Sequence, residues 1–366
     1  MSEYPKSTSE VPNRTHDVVY RSDDEYCAFP FLGGLWKFGD GEILTAFFTI
    51  DCDYSVRGQG EHERLGRFGS IRGMRSFDSG RTWVEDGEIA DLPEVADTVM
   101  FGLDARPTSF DLNDDETILA SFSAPHQEPS HNHPWFMISN NKGQEWTRAF
   151  PFPKFEFKSV YGQPNYVTRP DGACLLMMPV IRDDLDHDQQ RPAVFASFDG
   201  GSSWSFLSFI TEKRSYGMIH PSPLVLPDGT ILAAVRANPE SDTAWTEIYQ
   251  SEDKGRSWSR LSRPNDHGAP GTLTLLDDGR ILLVYGYRKP SYGVRCRISE
   301  DGGKSWGKEW IIRQGGGSVD LGYPRTIQLS DGKVLTVYYF NEKEAEVSLR
   351  GTGVRYIAST IFEAPS

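Results

Sequence analysis

Six residues of this chain stand directly before a proline at the entry to an apolar, strand-like segment: Phe29, Arg106, Gln163, His220, Ala269 and Tyr323. Tyr323, His220 and Arg106 are the types that move protons and hold anions. A free phenol titrates near 10, so it is a weak nucleophile at neutral pH and needs an adjacent base. His220 is the candidate to take that proton, and an arginine fork suits a carboxylate. The alternative is that all six are ordinary strand starts, which suffices for Phe29 and Ala269. Polar groups crowded in a cleft require a further reason. Proline disfavours the helical region for the residue before it, so extended geometry is predicted at each entry.

The elements that must position these residues are repeats. Each entry leads to a turn, at Asp40-Gly41, Asp114-Asp115, Asp171-Gly172, Asp228-Gly229, Asp278-Gly279 and Asp331-Gly332, and then to an apolar run. Asp-Gly between apolar runs signals a hairpin. Between the hairpins a second pattern recurs five times. It runs Ser76-x-Asp78-x-Gly80-x-Thr82-Trp83, with copies opening at Ser139, Ser197, Ser251 and Ser299. Aspartate (asparagine in the second copy) accepts local backbone hydrogen bonds, glycine supplies positive φ, and tryptophan packs the turn onto a sheet. A period of roughly 50 to 60 residues is that of a propeller blade.

Six hairpins and five boxes fit a six-bladed β-propeller of four-stranded antiparallel blades. Each box joins a third strand to a fourth. The last blade lacks a fourth strand at its C-terminal end, and the run from His16 to Tyr20 is predicted to supply it, leaving no open edge. The expected division is an N-terminal extension over 1–15 and one propeller over 16–366. The composition agrees: 38% hydrophobic and 12% aromatic, with 35 glycines and 23 prolines, favours strands and tight turns.

In this arrangement the boxes and hairpin turns share one face. Strand entries and second-to-third-strand loops share the other. Seven of the eight histidines fall on the second face: His62, His126, His131, His133, His187, His220 and His267. That face is the expected chemical face. First strands line the central channel, so the six pre-proline residues are predicted to converge at its axis.

The five boxes resemble the Asp boxes of the sialidase superfamily, over a span from about Val18 to Phe362. The resemblance implies a catalytic tyrosine opening the last blade, which falls on Tyr323 in Gly322-Tyr323-Pro324. It implies an arginine ending the blade-four hairpin, Arg236, and another shortly before the last box. Arg295 fits that second place best, with Arg297 and Arg288 as rivals. These arginines would hold a substrate carboxylate. An acid is implied in the region of Asp51 and Asp53. Two departures stand out. Ala28-Phe29-Pro30 lacks the family's first arginine, for which Arg106 is a replacement from the next blade, and His220 stands where the family has glutamate.

The activity implied first is exo-acting hydrolysis of a terminal, acidic sugar. The same ring could instead run β-elimination beside a uronate, with arginine neutralising the carboxylate and Tyr323 and His220 as the acid–base pair. A non-catalytic sugar-binding propeller, stacking on Trp135, Tyr161, Tyr287 or Tyr292, comes third. One of His126, His131 and His133 is expected to touch substrate, His133 being the one retained, and Gln163 is expected to line the site. No metal or cofactor is expected. The acidic run Arg182–Asp188 lacks the glycine and terminal glutamate of an EF-hand loop, and the His131-x-His133 pair has no evident fourth zinc ligand.

With 38 Lys and Arg against 52 Asp and Glu, the net charge of −14 argues against nucleic acid or an anionic membrane as partner. Four widely spaced cysteines without a Cys-x-x-Cys pair, and no visible signal peptide, fit a cytoplasmic protein.

Overall fold

The computed structural model describes residues 8–55, 65, 69–97, 107–125, 132–182, 189–212, 216–240, 243–342 and 353–366. They form six sheets, the blades of an all-β propeller. Blade four shows the plan most fully. Gly217–Val225, Ile231–Glu240, Thr243–Ser251 and Ser259–Ser262 pair antiparallel in that order, with the box between the third and fourth strands. The second strands are apolar on both sides because each blade is covered by its neighbours. In Cys174–Arg182 every residue but the last is buried.

The ring closes as predicted from the repeat count. Thr15–Tyr20 pairs antiparallel with Tyr356–Phe362 and completes blade six beside Val334–Phe340 and Gly322–Gln328. The preceding residues are also tied down. Ser9–Glu10 adds a parallel strand to Trp310–Gln314 at the edge of blade five.

The boxes are built by local hydrogen bonding. In the last copy Ser299 Oγ donates to Asp301 Oδ1 at 2.8 Å and accepts from the Gly303 amide at 2.8 Å. Asp301 then accepts from the Ser305 amide and hydroxyl, which hold its carboxyl down to about 2. Boxes meet hairpin turns of the preceding blade. Arg81 reaches Asp331, Lys142 reaches Asp40, and Lys254 reaches Asp171 at 3.1 Å. Boxes and hairpin turns therefore share one face.

Two expectations need correction. The strand predicted after Arg106-Pro107 is absent among the described residues. Residues 107–111 carry no ladder, and blade two has three strands, Ile118–Pro125, Asn132–Ser139 and Phe150–Pro151. Phe110 instead gives its amide to Gly200 of the blade-three box.

The second correction concerns the backbone before proline. Phe29, His220 and Tyr323 are not extended; their φ values are 61°, 52° and 49°. The ladder breaks at these entries, between Ile219 and Ser222 and between Gly322 and Arg325. Proline removes an amide donor and excludes the right-handed helical region, which leaves the left-handed one as the alternative to an extended chain. That region costs a non-glycine residue about 1–2 kcal/mol and persists only where the surroundings enforce it.

Candidate active site

The left-handed turns bring residues of four blades together at the axis. Tyr323 of blade six is buried, its ring 4.8 Å from that of Phe29 of blade one. Its hydroxyl accepts a hydrogen bond from Arg236 Nη1 at 2.9 Å. The Nε2 of His220, from blade four, lies 3.4 Å from the same oxygen. On its other side His220 Nδ1 meets Gln163 Nε2 of blade three at 2.9 Å. Phe31 stands edge-on to both the His220 and Tyr323 rings, at 5.7 and 6.3 Å.

Blade packing sets these positions. Gly322 has φ 97°, and a Cβ there would come within 2.7 Å of the Gly286 Cα on blade five. Only glycine allows this approach, and it fixes where the adjoining Tyr323 emerges.

Arginines surround the pair. Arg236 also donates from Nη2 to Asn238 Oδ1 at 3.1 Å, and its buried Nε has no partner among the described residues. The Arg288 guanidinium lies 5.6 Å from the Tyr323 ring centre. It donates to the Ala269 carbonyl at 2.8 and 3.0 Å and to the Val319 carbonyl. Arg325, two residues beyond Tyr323, donates to the Phe31 carbonyl, to the Pro164 carbonyl and to Asn165 Oδ1. Among the described residues none of the three has a carboxylate hydrogen-bond partner. Desolvation, then the charges of Arg236 and Arg288, hold the His220 imidazolium well below its ordinary range, so the ring is neutral at neutral pH.

A buried carboxylate, Asp320, lies close to this cluster. It accepts from the Tyr26 and Tyr339 hydroxyls at 2.6 and 2.8 Å and pairs with Arg355 at 3.2 Å. It links blade one to blade six and adds an attraction for Arg288.

The predicted site residues divide into three groups. Tyr323, His220, Gln163, Arg236 and Arg288 come together. Arg295 does not join them: its guanidinium lies over Tyr287 at 4.7 Å, donates to the Arg313 carbonyl at 3.2 Å and has Glu309 at 3.8 Å. Arg288 takes the place at the axis that Arg295 was expected to fill. Asp51 and Asp53 are exposed at the end of a blade-one strand. Asp53 caps its own turn, accepting from the Ser55 hydroxyl and amide at 2.6 and 2.9 Å, which lowers its carboxyl. A carboxyl held ionised in this way is poorly suited to act as a general acid. His133 is half-buried on blade two, edge-on to Trp135. Arg106, His126, His131 and residues 183–188 lie outside the described residues.

Trp135 was expected as a stacking face, but it is buried in the core and offers none. Tyr161, Tyr287 and Tyr292 are half-buried. Among the described residues no group of three or more His, Cys, Asp or Glu side chains is arranged to hold a metal. Sequence reasoning does not single out Asn165, Arg325, Asn238 or Asp320. Asn165 and Arg325 each follow a pre-proline residue by two, so the alternation of a strand was the available signal.

Comparison with solved structures extends the fold. A protein of unknown function from Dyadobacter fermentans superposes with a TM-score of 0.76 at 22% identity, over 97% of this chain and 100% of that one. The α-L-arabinanase of Penicillium chrysogenum superposes at 0.62 with 13% identity, over 95% and 98% of the two chains. The Hadza microbial sialidase Hz136 gives 0.61 at 15% identity, over 92% of this chain and 66% of that one. These likenesses are of fold. Comparison with curated protein sequences finds no match. The profile of the BNR repeat-like domain matches residues 107–336, well over half the chain, and the protein belongs to that family.

Proposed function

We propose that this protein is an exo-acting glycoside hydrolase that removes a terminal acidic sugar, with Tyr323 facing the anomeric carbon. The observation that carries the reading is the Tyr323 oxygen itself. It sits between the Arg236 guanidinium and the His220 imidazole, and among the described residues neither Arg236 nor Arg288 donates a hydrogen bond to a carboxylate. An anionic substrate would supply the missing partner. A phenol oxygen held by fixed donors suits a carbon that becomes positive as the glycosidic bond breaks.

In this reading Arg236 and Arg288 face the substrate carboxylate. The leaving oxygen needs a proton, for which Asp51 is the remaining acid candidate of the two aspartates. The fold is shared with proteins named as sialidases and as an arabinanase, so cleavage of a glycosidic bond is in keeping with it.

A second reading is uronate β-elimination. What favours it is the imidazole at His220, where the resembled family has a carboxylate. A neutral imidazole beside a phenol makes an acid–base pair, and a nearby arginine would acidify the carbon–hydrogen bond next to a uronate carboxylate.

Product mass separates the two. Incubated with sialosides and uronate-containing oligosaccharides, a hydrolase gives products that together gain one water. A lyase gives no added water and a new ultraviolet-absorbing double bond. Elimination products would displace the first reading, and binding without turnover across the panel would displace both.

A further inference from the structure

The polar contacts below the Tyr323–His220 pair form one continuous chain. Arg325 leads to Asn165, Asn165 to Gln163, Gln163 to His220, and His220 to Tyr323. Asn165 and Gln163 are buried, so neither can exchange its partners for water. The chain crosses three blades, since Arg325 is on blade six, Asn165 and Gln163 are on blade three, and His220 is on blade four.

Its direction is determined from one end. Arginine carries donors only, so the Asn165 atom facing Arg325 must be the acceptor Oδ1. That turns Asn165 Nδ2 toward Gln163 Oε1, at 3.0 Å. Gln163 must then present its own amide nitrogen to His220 Nδ1, at 2.9 Å. A nitrogen that accepts from an amide carries no proton. In a neutral imidazole the single proton therefore sits on Nε2, the atom facing Tyr323.

We propose that Arg325, Asn165 and Gln163 are positioning residues that fix the tautomer of His220, making it a hydrogen-bond donor to the Tyr323 oxygen rather than the base that takes its proton. This reverses the direction expected from the sequence. Tyr323 then faces two donors, Arg236 Nη1 and His220 Nε2–H, and its own proton points elsewhere. The arrangement also differs from one with a carboxylate at position 220, which could only accept. Groups facing His220 are Gln163 and Tyr323 by hydrogen bond and Phe31 by its ring edge, with the charges of Arg236 and Arg288 close by. Each of these is compatible with a neutral, Nε2-protonated ring.

The inference deepens the proposed function by assigning His220 its role, but its test reads the resting protein and needs no substrate. Long-range proton–nitrogen correlation spectra of histidine-labelled protein near neutral pH distinguish a protonated ring nitrogen from a bare one. The His220 signals are identified by their loss in His220→Gln. In the wild type the expected result is a bare Nδ1 and a protonated Nε2.

Asn165→Asp supplies the decisive variant, because it touches Arg325 and Gln163 but not His220. A carboxylate there accepts from both neighbours, so the Gln163 amide must turn over and offer Oε1 to His220. The proton is then expected to move to Nδ1. A wild-type ring protonated on Nδ1, or a folded Asn165→Asp protein with its tautomer unchanged, overturns the proposal. Should Asn165→Asp not fold, Gln163→Glu places an acceptor directly against Nδ1. The same shift is expected, and its absence is equally contrary.

Discussion

Arg236 donates from Nη1 to the Tyr323 hydroxyl at 2.9 Å, joining the middle of the second blade-four strand to the entry of blade six. The two residues meet because a left-handed backbone turn at Tyr323 swings its side chain to the axis. Arg236 also donates from Nη2 to Asn238 Oδ1 at 3.1 Å, which holds the guanidinium plane in place against the phenol oxygen.

Replacing Arg236 with lysine keeps the charge but loses the planar fork. A hydrogen bond to a charged group is worth about 1.5–3 kcal/mol, which corresponds to roughly a ten- to hundredfold loss in kcat/KM. Steady-state rates on a cleaved substrate check this. Arg288→Lys is expected to fall in the same range, whereas Arg295→Lys, lying outside the cluster, should affect thermal stability more than KM.

Gly322→Ala tests the packing that aims Tyr323. The new methyl would meet backbone on blade five, at a φ that alanine rarely adopts. Overpacking of this kind costs about 1–3 kcal/mol. Denaturant unfolding should show that loss, together with a fall in activity out of proportion to it. An unchanged midpoint and rate would mean that the blades adjust freely there.

Ring closure should weaken in acid. His16 Nδ1 lies 2.9 Å from Thr360 Oγ1 across the closing pair of strands. Burial, then the charges of Arg313 and Arg14, lower its pKa to about 4. In the unfolded chain the imidazole takes its proton near 6.5, so between these values the unfolded state binds more protons. Stability is therefore complete above about pH 6.5 and declines as the pH falls toward 4. The melting temperature of His16→Gln should decline less steeply over that window. His220 is shifted in the same direction, so part of the slope should remain. Parallel curves for the two proteins would remove His16 from the account.

Local chemistry made the fold readable. A box such as Ser299 to Trp306 closes on itself through serine, aspartate and glycine, so its turn is written in adjacent residues. The ring closure followed from counting six hairpins against five boxes. The backbone at His220 and Tyr323 was not readable, because a pre-proline residue is usually extended and only packing across blades enforces the left-handed turn. For a related reason, sequence position alone does not separate Arg288 from Arg295. Both lie near the last box in sequence, and only the strand paths show that Arg288 reaches the axis while Arg295 turns toward Glu309. Asn165 and Arg325 each stand directly after the proline, a position that carries no motif of its own in the sequence.

The central claim is that the Tyr323 oxygen performs the reaction. Removing that oxygen alone, as Tyr323→Phe, keeps the ring that packs on Phe29. On whichever oligosaccharide the wild type cleaves, kcat should fall by about 10²–10⁴-fold, the range for loss of a positioned catalytic group. The melting temperature should stay close to that of the wild type. A phenylalanine variant with full turnover would contradict the account and move the chemistry away from the axis.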